Sequence, residues 1–522
     1  MSLLDVLYLP VAALYLVILL ALFAYGLNFL WLTWSAVRRV PRTQEAAAPR
    51  QWPSVTVQLP IYNEMYVAER LIDAAARFDY PRRRLEIQVL DDSTDETAEI
   101  AAAAVRLWRA MGIDIRHIRR TQRTGFKAGA LAHGLSLARG EFVAIFDADF
   151  IPGPDFLRRA VPVVSADPGL AFVQLRWGHV NRDFSLLTLL QSLSIDGHMV
   201  VEQFARWRTG QWFNFNGTAG VWRRAALVDA GGWSHDTLTE DLDISYRAFL
   251  RGWRAAFLRD VECPAELPVS WSAYWRQQHR WARGSFECAM KHLPRIWRSP
   301  IGLARKAQAT LHLLGYSIHL LLIALSLLYP LLLLVSIRQP QVTSLFGGVA
   351  VFNLTAIAPA VLFTTAQRQL GRRWWAALPG VFLLTILGAG MMANTARAAL
   401  QAVHRQPSVF ERTPKFGVER QKVEWLRLRY QPRVDRLVWV EAALAGLNVA
   451  TTAAAIGRGS WAIAFYAALF AAGLLFSVVL TVSQATRGFW IARESDRARE
   501  SERAPRLPGV EQAKRAMDSR RT

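Results

Sequence analysis

Four short acidic and aromatic motifs stand in a fixed order along the chain: LDDSTD (Leu90–Asp95), DADF (Asp147–Phe150), TED (Thr239–Asp241) and QQHRW (Gln277–Trp281). Asp147 and Asp149 follow an apolar run, FVAIF, that reads as a buried strand. Alternate carboxylates at a strand end point into a shared space, and such oxygens suit Mg²⁺ or Mn²⁺ bridging a diphosphate. Asp91 and Asp92 close another strand-like run, IQVL. A carboxylate there can accept from a nucleobase or ribose, and it can equally cap a turn or the helix starting near Thr94. The first run ends in Pro60-Ile61-Tyr62-Asn63-Glu64, where Tyr62 can pack on a base and Glu64 can accept from its edge. Lys127, in GFKAGAL, can neutralise phosphate charge.

The TED segment suits proton transfer. A sugar hydroxyl is a poor nucleophile and needs a carboxylate within hydrogen-bond reach. Asp241, with Glu240 and Thr239 beside it, is the candidate base, and the diphosphate leaving group is stabilised by metal and cationic donors. The same TLTEDLD run reads as a helix start, with Thr at the cap and acids in the first turn, and both readings hold together. In QQHRW, Arg280 can pair with diphosphate oxygens and Trp281 offers a flat face to a sugar ring, with Gln277 one turn before. Cys263 and Cys288 are the only cysteines, have no metal-type spacing and fit a reducing compartment.

The elements that must position these residues divide the chain. Residues 50–270 alternate β-rich runs (Val55–Tyr62, Glu86–Leu90, Ile113–Ile118, Phe142–Phe146, Leu170–Leu175) with Ala-rich amphipathic stretches, which predicts a mostly parallel sheet covered by helices. The acidic motifs then fall at carboxyl ends of strands, where open α/β sheets bind ligands. On either side the chain is apolar. Residues 1–40 carry an anchor, Leu9–Trp34, followed by Arg38, Arg39 and Arg42. Residues 271–300 read as an interfacial amphipathic helix. Residues 301–486 hold Ala309–Ile337, Leu345–Ala366, Ala376–Thr395, Val438–Ile456 and Trp461–Val482.

Net charge is +21 with 52% hydrophobic and 20% charged residues. Much of the basic excess flanks apolar segments, as in cytosolic loops of membrane proteins, which argues against a nucleic-acid partner and for contact with a lipid bilayer. Ten Lys/Arg lie between Arg397 and Arg436, so this loop, like the α/β domain, is expected on the cytosolic side. An even number of crossings must join them. The segment 376–395, interrupted by Pro379 and Gly388–Gly390, is therefore expected not to cross, leaving five spans. The tail 487–522 is basic and polar and is expected to be disordered from 493 onward.

As a set these motifs resemble the processive, membrane-embedded members of glycosyltransferase family 2, the cellulose-synthase-like group, and most closely the plant A and C subgroups that make mannan or glucan backbones. The residues that carry the resemblance are IQVLDDSTD (Ile87–Asp95), GFKAGAL (Gly125–Leu131), VAIFDADF (Val143–Phe150), FNGTAGVWR (Phe215–Arg223) and QQHRW, and it covers residues 50–300 strongly. It implies a GT-A (Rossmann-like) α/β domain plus an α-helical transmembrane domain, an inverting mechanism and a divalent metal. Asp92 and its neighbours would hold the nucleoside, Asp147 and Asp149 the diphosphate and metal, and Asp241 would be the base. Gln277, Arg280 and Trp281 would line the acceptor and pyrophosphate region, with Phe215, Asn216, Gly217 and Thr218 as an acceptor segment. Phe410-Glu411-Arg412-Thr413-Pro414-Lys415 resembles the FxVTxK gating loop of bacterial cellulose synthase, with Arg412 where Val is usual. No cyclic-di-GMP-binding domain is expected after the last span, because the tail there is short and polar.

The expected activity is a processive β-glycan synthase in a bacterial inner membrane, with its catalytic domain cytosolic, taking a nucleotide-sugar donor and a growing glycan. UDP-glucose, making a β-1,4 glucan, is placed first because the wider family mostly uses it. The alternatives are a β-mannan synthase using GDP-mannose and a non-processive lipid glycosyltransferase. A transporter is disfavoured because the predicted spans carry few ionisable residues.

Overall fold

A computed structural model describes residues 3–38, 46–338, 350–407, 413–418 and 435–503. Its centre is a seven-stranded sheet in the order β3-β2-β1-β4-β6-β5-β7. The strands are β1 Val55–Ile61, β2 Leu85–Asp91, β3 Ile115–Arg119, β4 Phe142–Ile145, β5 Leu170–His179, β6 Gly220–Arg223 and β7 Arg254–Ala265. Four pairings are parallel, β1 with β2 and β4, β2 with β3, and β5 with β7. Short β6 runs antiparallel between β4 and β5. The expected mostly parallel sheet is present, and all five predicted strands are found.

Two apolar cores lie against it. On one face Val57, Leu59, Ile87, Val89 and Phe146 pack under the helices Ala68–Ala76, Thr97–Ala110 and Phe156–Ala166. On the other, Phe172 meets Phe213, Phe215, Trp222 and Phe249, with ring centroids 4.6–6.0 Å apart. Burying each such side chain contributes roughly 1.5–3 kcal/mol. The parallel strands β1, β2 and β4 all end at one edge, so Ile61–Tyr62, Asp91–Asp92 and Phe146–Asp149 emerge side by side.

The helix Trp271–Arg298 follows β7, begun by Ser270, whose Oγ accepts from Ala273 N. The chain is a membrane protein: among the described residues four helices are long and apolar enough to span, Leu9–Val37, Ser317–Val335, Leu437–Ile456 and Trp461–Arg487. The segment expected to span at 345–366 is, where described, a 3₁₀ stretch Ala350–Ile357 followed by a 12-residue helix Ala358–Gln369. At 1.5 Å per residue that helix alone is too short to cross. In the interrupted segment Trp374–Gly390 and Met392–Val403 are bent by 44°, the geometry of a broken span or of the re-entrant loop expected there. The last helix also runs on to Arg503, through the start of the tail expected to be disordered. Residues 504–522, together with Phe410 and Arg412, lie outside the described residues.

Candidate active site

The strand ends open into a cavity of about 180 Å³. Its wall includes Pro60, Tyr62, Glu64, Asp92, Lys127, Asp147, Asp149, Asn216, Gly217, Thr239, Glu240, Asp241, Gln277, Arg280, Trp281, Thr413 and Lys415. Residues separated by more than 350 positions in sequence are thus gathered by the sheet edge, the start of one helix and the face of another.

Asp147 comes off β4, its backbone N–H donating to Thr218 Oγ1 at 2.9 Å. Lys127 Nζ sits 2.6 Å from Asp147 Oδ1, 3.6 Å from Glu240 Oε1 and 3.1 Å from Gly217 O. Burial alone would lower the Lys127 ammonium, but Asp147 and Glu240 outweigh it and raise its pKa. Lys415 reaches the second carboxylate, with Nζ 2.5 Å from Asp149 Oδ2, and also donates to the Glu266 carbonyl. Phe416 N donates to Glu266 Oε1 at 2.8 Å, so the described part of the gating-like loop is docked on the acidic edge.

Glu240 and Asp241 open the helix Glu240–Leu250 after Thr239, and Asp241 Oδ1 accepts from Leu242 N at 2.8 Å. Burial, then the neighbouring Glu240, push the Asp241 carboxyl up to about 7, with Lys127 opposing. Burial and Asp149 likewise raise Asp147 despite Lys127. Both shifts arise first from burial and then from a crowd of carboxylates whose charge Lys127 only partly offsets, an imbalance of negative charge in the cavity. A hard divalent cation fits that imbalance. One oxygen each of Asp147 and Asp149 is engaged by a lysine, and the other has no hydrogen-bond partner among the described residues.

Gln277, Arg280 and Trp281 lie at i, i+3 and i+4 on one face of the Trp271–Arg298 helix and face the cavity together. The acids closest to Arg280 electrostatically are Glu240, Asp147, Asp241 and Asp149. His279 points elsewhere, meeting Asn394 at 3.1 Å and Gln401 at 2.8 Å on the Met392–Val403 helix. Two glycines permit the close approach. Gly217 has φ +81°, and a Cβ there would lie 3.0 Å from Asp241 Oδ2 and 3.3 Å from Lys127 Nζ. A Cβ on Gly284 would sit 2.5 Å from the Thr239 side chain, so this glycine lets the helix press against TED.

Three expected site residues fall outside the wall. Asp91, the last residue of β2, turns the opposite way from Asp92, as strand alternation requires. It is buried and bound to His117 Nε2 and Ser93 N, each at 2.8 Å, which is the turn-capping alternative. Phe215 belongs to the aromatic core, and Thr218 supports the Asp147 backbone. Tyr62 is in the wall, but the Arg123 guanidinium lies 3.3 Å over its ring where a base was expected. Asp92 is held by Arg120, Nε to Oδ1 at 3.0 Å. Sequence reading missed Arg120, Arg123, Glu266, Trp177 and His179, none of which stands in a recognisable motif.

A second chamber of about 370 Å³ adjoins the first, and both are lined by Trp177, Ile195, Asn216, Thr239, Asp241, Gln277 and Trp281. It extends past Tyr274 and Gln278 to Tyr25 and Phe29 on the N-terminal helix and to Tyr316 and His319 at the start of the next span.

Residues 53–284 match the profile described as glycosyltransferase-like family 2. The chain is 45% identical over 259 residues to glucomannan 4-beta-mannosyltransferase 2 of Arabidopsis thaliana, covering 49% of this chain and 48% of that protein. It is 45% identical over 238 residues to the probable glucomannan 4-beta-mannosyltransferase 7 of Oryza sativa subsp. japonica, covering 45% of this chain and 41% of that one. It spans about half the length of these curated relatives. They are plant proteins and lend no support to a bacterial inner membrane. A mannosyltransferase of Pyrobaculum calidifontis, solved with GDP-Man and Mn²⁺, superimposes with TM-score 0.48 at 25% identity, over 76% of this chain and all of that one. The motif order, the mixed sheet with its acidic edge and the matched profile agree in making residues 53–284 similar to the domain of glycosyltransferase family 2.

Proposed function

We propose that this protein is an inverting, membrane-embedded 4-β-mannosyltransferase that takes GDP-mannose and extends a β-mannan-type glycan. The named activity of the relatives at 45% identity favours mannose over the UDP-glucose reading placed first from sequence. The observation that carries a chain product is the continuity of the acidic cavity with the inner chamber, which leads towards candidate spans.

In this reading Asp92 and Glu64 flank the nucleoside. Asp147 and Asp149 would hold Mg²⁺ or Mn²⁺, which neutralises diphosphate charge when bound. Lys127 and Arg280 donate to diphosphate oxygens, and Trp281 stacks on the acceptor sugar. Asp241, whose raised pKa makes it a competent base near neutrality, takes the proton of the acceptor hydroxyl. That oxygen bonds to the anomeric carbon as the carbon–phosphate-oxygen bond breaks, and the electron pair leaves with GDP. Thr413 and Lys415 close the cavity over the donor, with Phe410 and Arg412 in the same gating-like segment. The catalytic domain and the basic loop 397–436 share the cytosolic side.

The test is transfer of radiolabel by membranes containing the protein, with Mn²⁺ and either GDP-mannose or UDP-glucose, followed by linkage-specific glycanases. The expected product is insoluble in chloroform and cut by endo-β-1,4-mannanase. Transfer from UDP-glucose alone would return the glucan reading, and a chloroform-soluble monosaccharide product would replace the polymer reading with lipid glycosylation.

A further inference from the structure

The mechanism above leaves two polar rings of the cavity wall unused. Trp177 and His179 end β5 at i and i+2, so they share a face of the strand. Both line the acidic cavity, and Trp177 also lines the inner chamber. Each has a buried ring nitrogen, Trp177 Nε1 and His179 Nδ1, with no hydrogen-bond partner among the described residues. Buried polar atoms are normally paired, and although these two have almost no accessible surface, both rings stand in the wall of a sugar-sized cavity, where a small shift of the wall would let a ligand's hydroxyls complete them.

The other nitrogen of His179 is fixed. Nε2 lies 3.1 Å from Asp196 Oδ1, with the two side chains 2% and 0% exposed. Asp196 Oδ2 accepts from Gln367 Nε2 at 2.9 Å and from Arg372 Nη1 at 2.6 Å. Burial would raise the Asp196 carboxyl, but His179 and Arg372 hold it down at about 2, so it is ionised. An ionised Asp196 can only accept, so His179 Nε2 carries its proton and donates to Oδ1. In the neutral imidazole this leaves Nδ1 as an acceptor. The Trp177 indole is a donor only.

We propose that His179 and Trp177 read the hydroxyls of a hexose at the junction of the two chambers, His179 accepting and Trp177 donating, with Asp196 as the positioning residue that sets the His179 tautomer. This rests on the hexosyltransferase reading above and adds to it the residues that judge the sugar. A network needed only to tie the sheet to the 358–372 segment would use Nε2 and leave Nδ1 and the indole N–H without consequence.

The substitution His179→Gln separates these roles, because a Gln amide can keep the contact to Asp196 but removes the Nδ1 acceptor. With the nucleotide sugar that the wild type turns over, kcat/KM should fall about 10-fold, while the thermal midpoint and the affinity for the free nucleoside diphosphate stay unchanged. Trp177→Phe should do the same and does not depend on His179 folding correctly. Asp196→Asn should lower kcat/KM alone yet add nothing on top of His179→Gln, the mark of residues acting as one unit. Wild-type activity for both single variants, or equal loss of diphosphate and sugar binding, overturns the proposal; additive loss with Asp196→Asn overturns the positioning role. A wild type that transfers no sugar from any donor would instead remove the parent reading.

Discussion

The two chambers share seven wall residues and differ in nearly everything else. The outer one concentrates Asp147, Asp149, Glu240 and Asp241 around Lys127, Lys415 and Arg280, and is a place where charge is opposed by charge. The inner one, about twice as large, is walled mostly by rings (Tyr25, Phe29, Tyr274, Tyr316 and Phe363) and amides such as Gln191 and Gln278, and besides the shared Asp241 its charges are the paired Glu202 and Arg206. Oxygen ligands and ammonium groups suit a nucleoside diphosphate and a hard cation, while flat rings and neutral amides suit an uncharged sugar chain that must slide. Asp241 stands on the boundary, which is where a base must be if donor and acceptor come from opposite sides.

That division is most easily broken at the boundary. Asp241→Asn should cut kcat about 1000-fold while leaving GDP affinity unchanged by titration calorimetry, because it removes a base and not a ligand. Equal loss of both would move Asp241 into the donor half. Asp147→Asn or Asp149→Asn, or chelation with EDTA, should cost about 100-fold in turnover and weaken GDP binding as well. Unchanged nucleotide affinity after chelation would mean that the outer chamber works without a metal.

A smaller effect, about 10-fold per pH unit, follows from the raised Asp241 pKa. The base acts deprotonated, so kcat/KM should be full above about pH 7 and decline below it. Bound cation lowers a carboxylate pKa, so the limb of kcat at saturating donor and metal should lie at lower pH than that of kcat/KM. Coincident limbs would argue against a cation beside Asp241. The mildest change is expected on the wall the two chambers share: Trp281→Phe should raise the apparent KM for a mannooligosaccharide acceptor about threefold and leave donor KM unaltered.

How far sequence reached depended on whether a residue's job was local. Asp147, Asp149, Asp241 and the Gln277/Arg280/Trp281 face were legible because strand ends and helical spacing dictate where they point. Asp91 and Asp92 were legible only as a pair; which of them faces the cavity is decided by the pleat, and a one-residue slip exchanges them. Within FNGTAG, Phe215 goes to the core, Gly217 to the site and Thr218 to the Asp147 backbone, a sorting made by close packing with Lys127 and Asp241. β7 was not anticipated because Arg259, Asp260 and Glu262 interrupt its apolar pattern, and its register against β5 shifts between Leu175 and Arg176. The same shift hid Trp177 and His179, since the apolar run ends at Leu175 while the strand continues to His179. Hydropathy measures apolar length and says nothing of a bend, so the 44° break after Gly390 and the 3₁₀ stretch before Ala358 were not legible in it.

The most direct test of the division is a cryo-EM map of the full-length protein with Mn²⁺, GDP and β-1,4-mannotriose. The account predicts GDP and metal density against Asp92, Asp147 and Asp149, and a linear oligosaccharide running from Trp281 and Asp241 into the inner chamber beside Tyr274 and Tyr316. An acyl chain filling the inner chamber, or an oligosaccharide confined to the outer one, would contradict it.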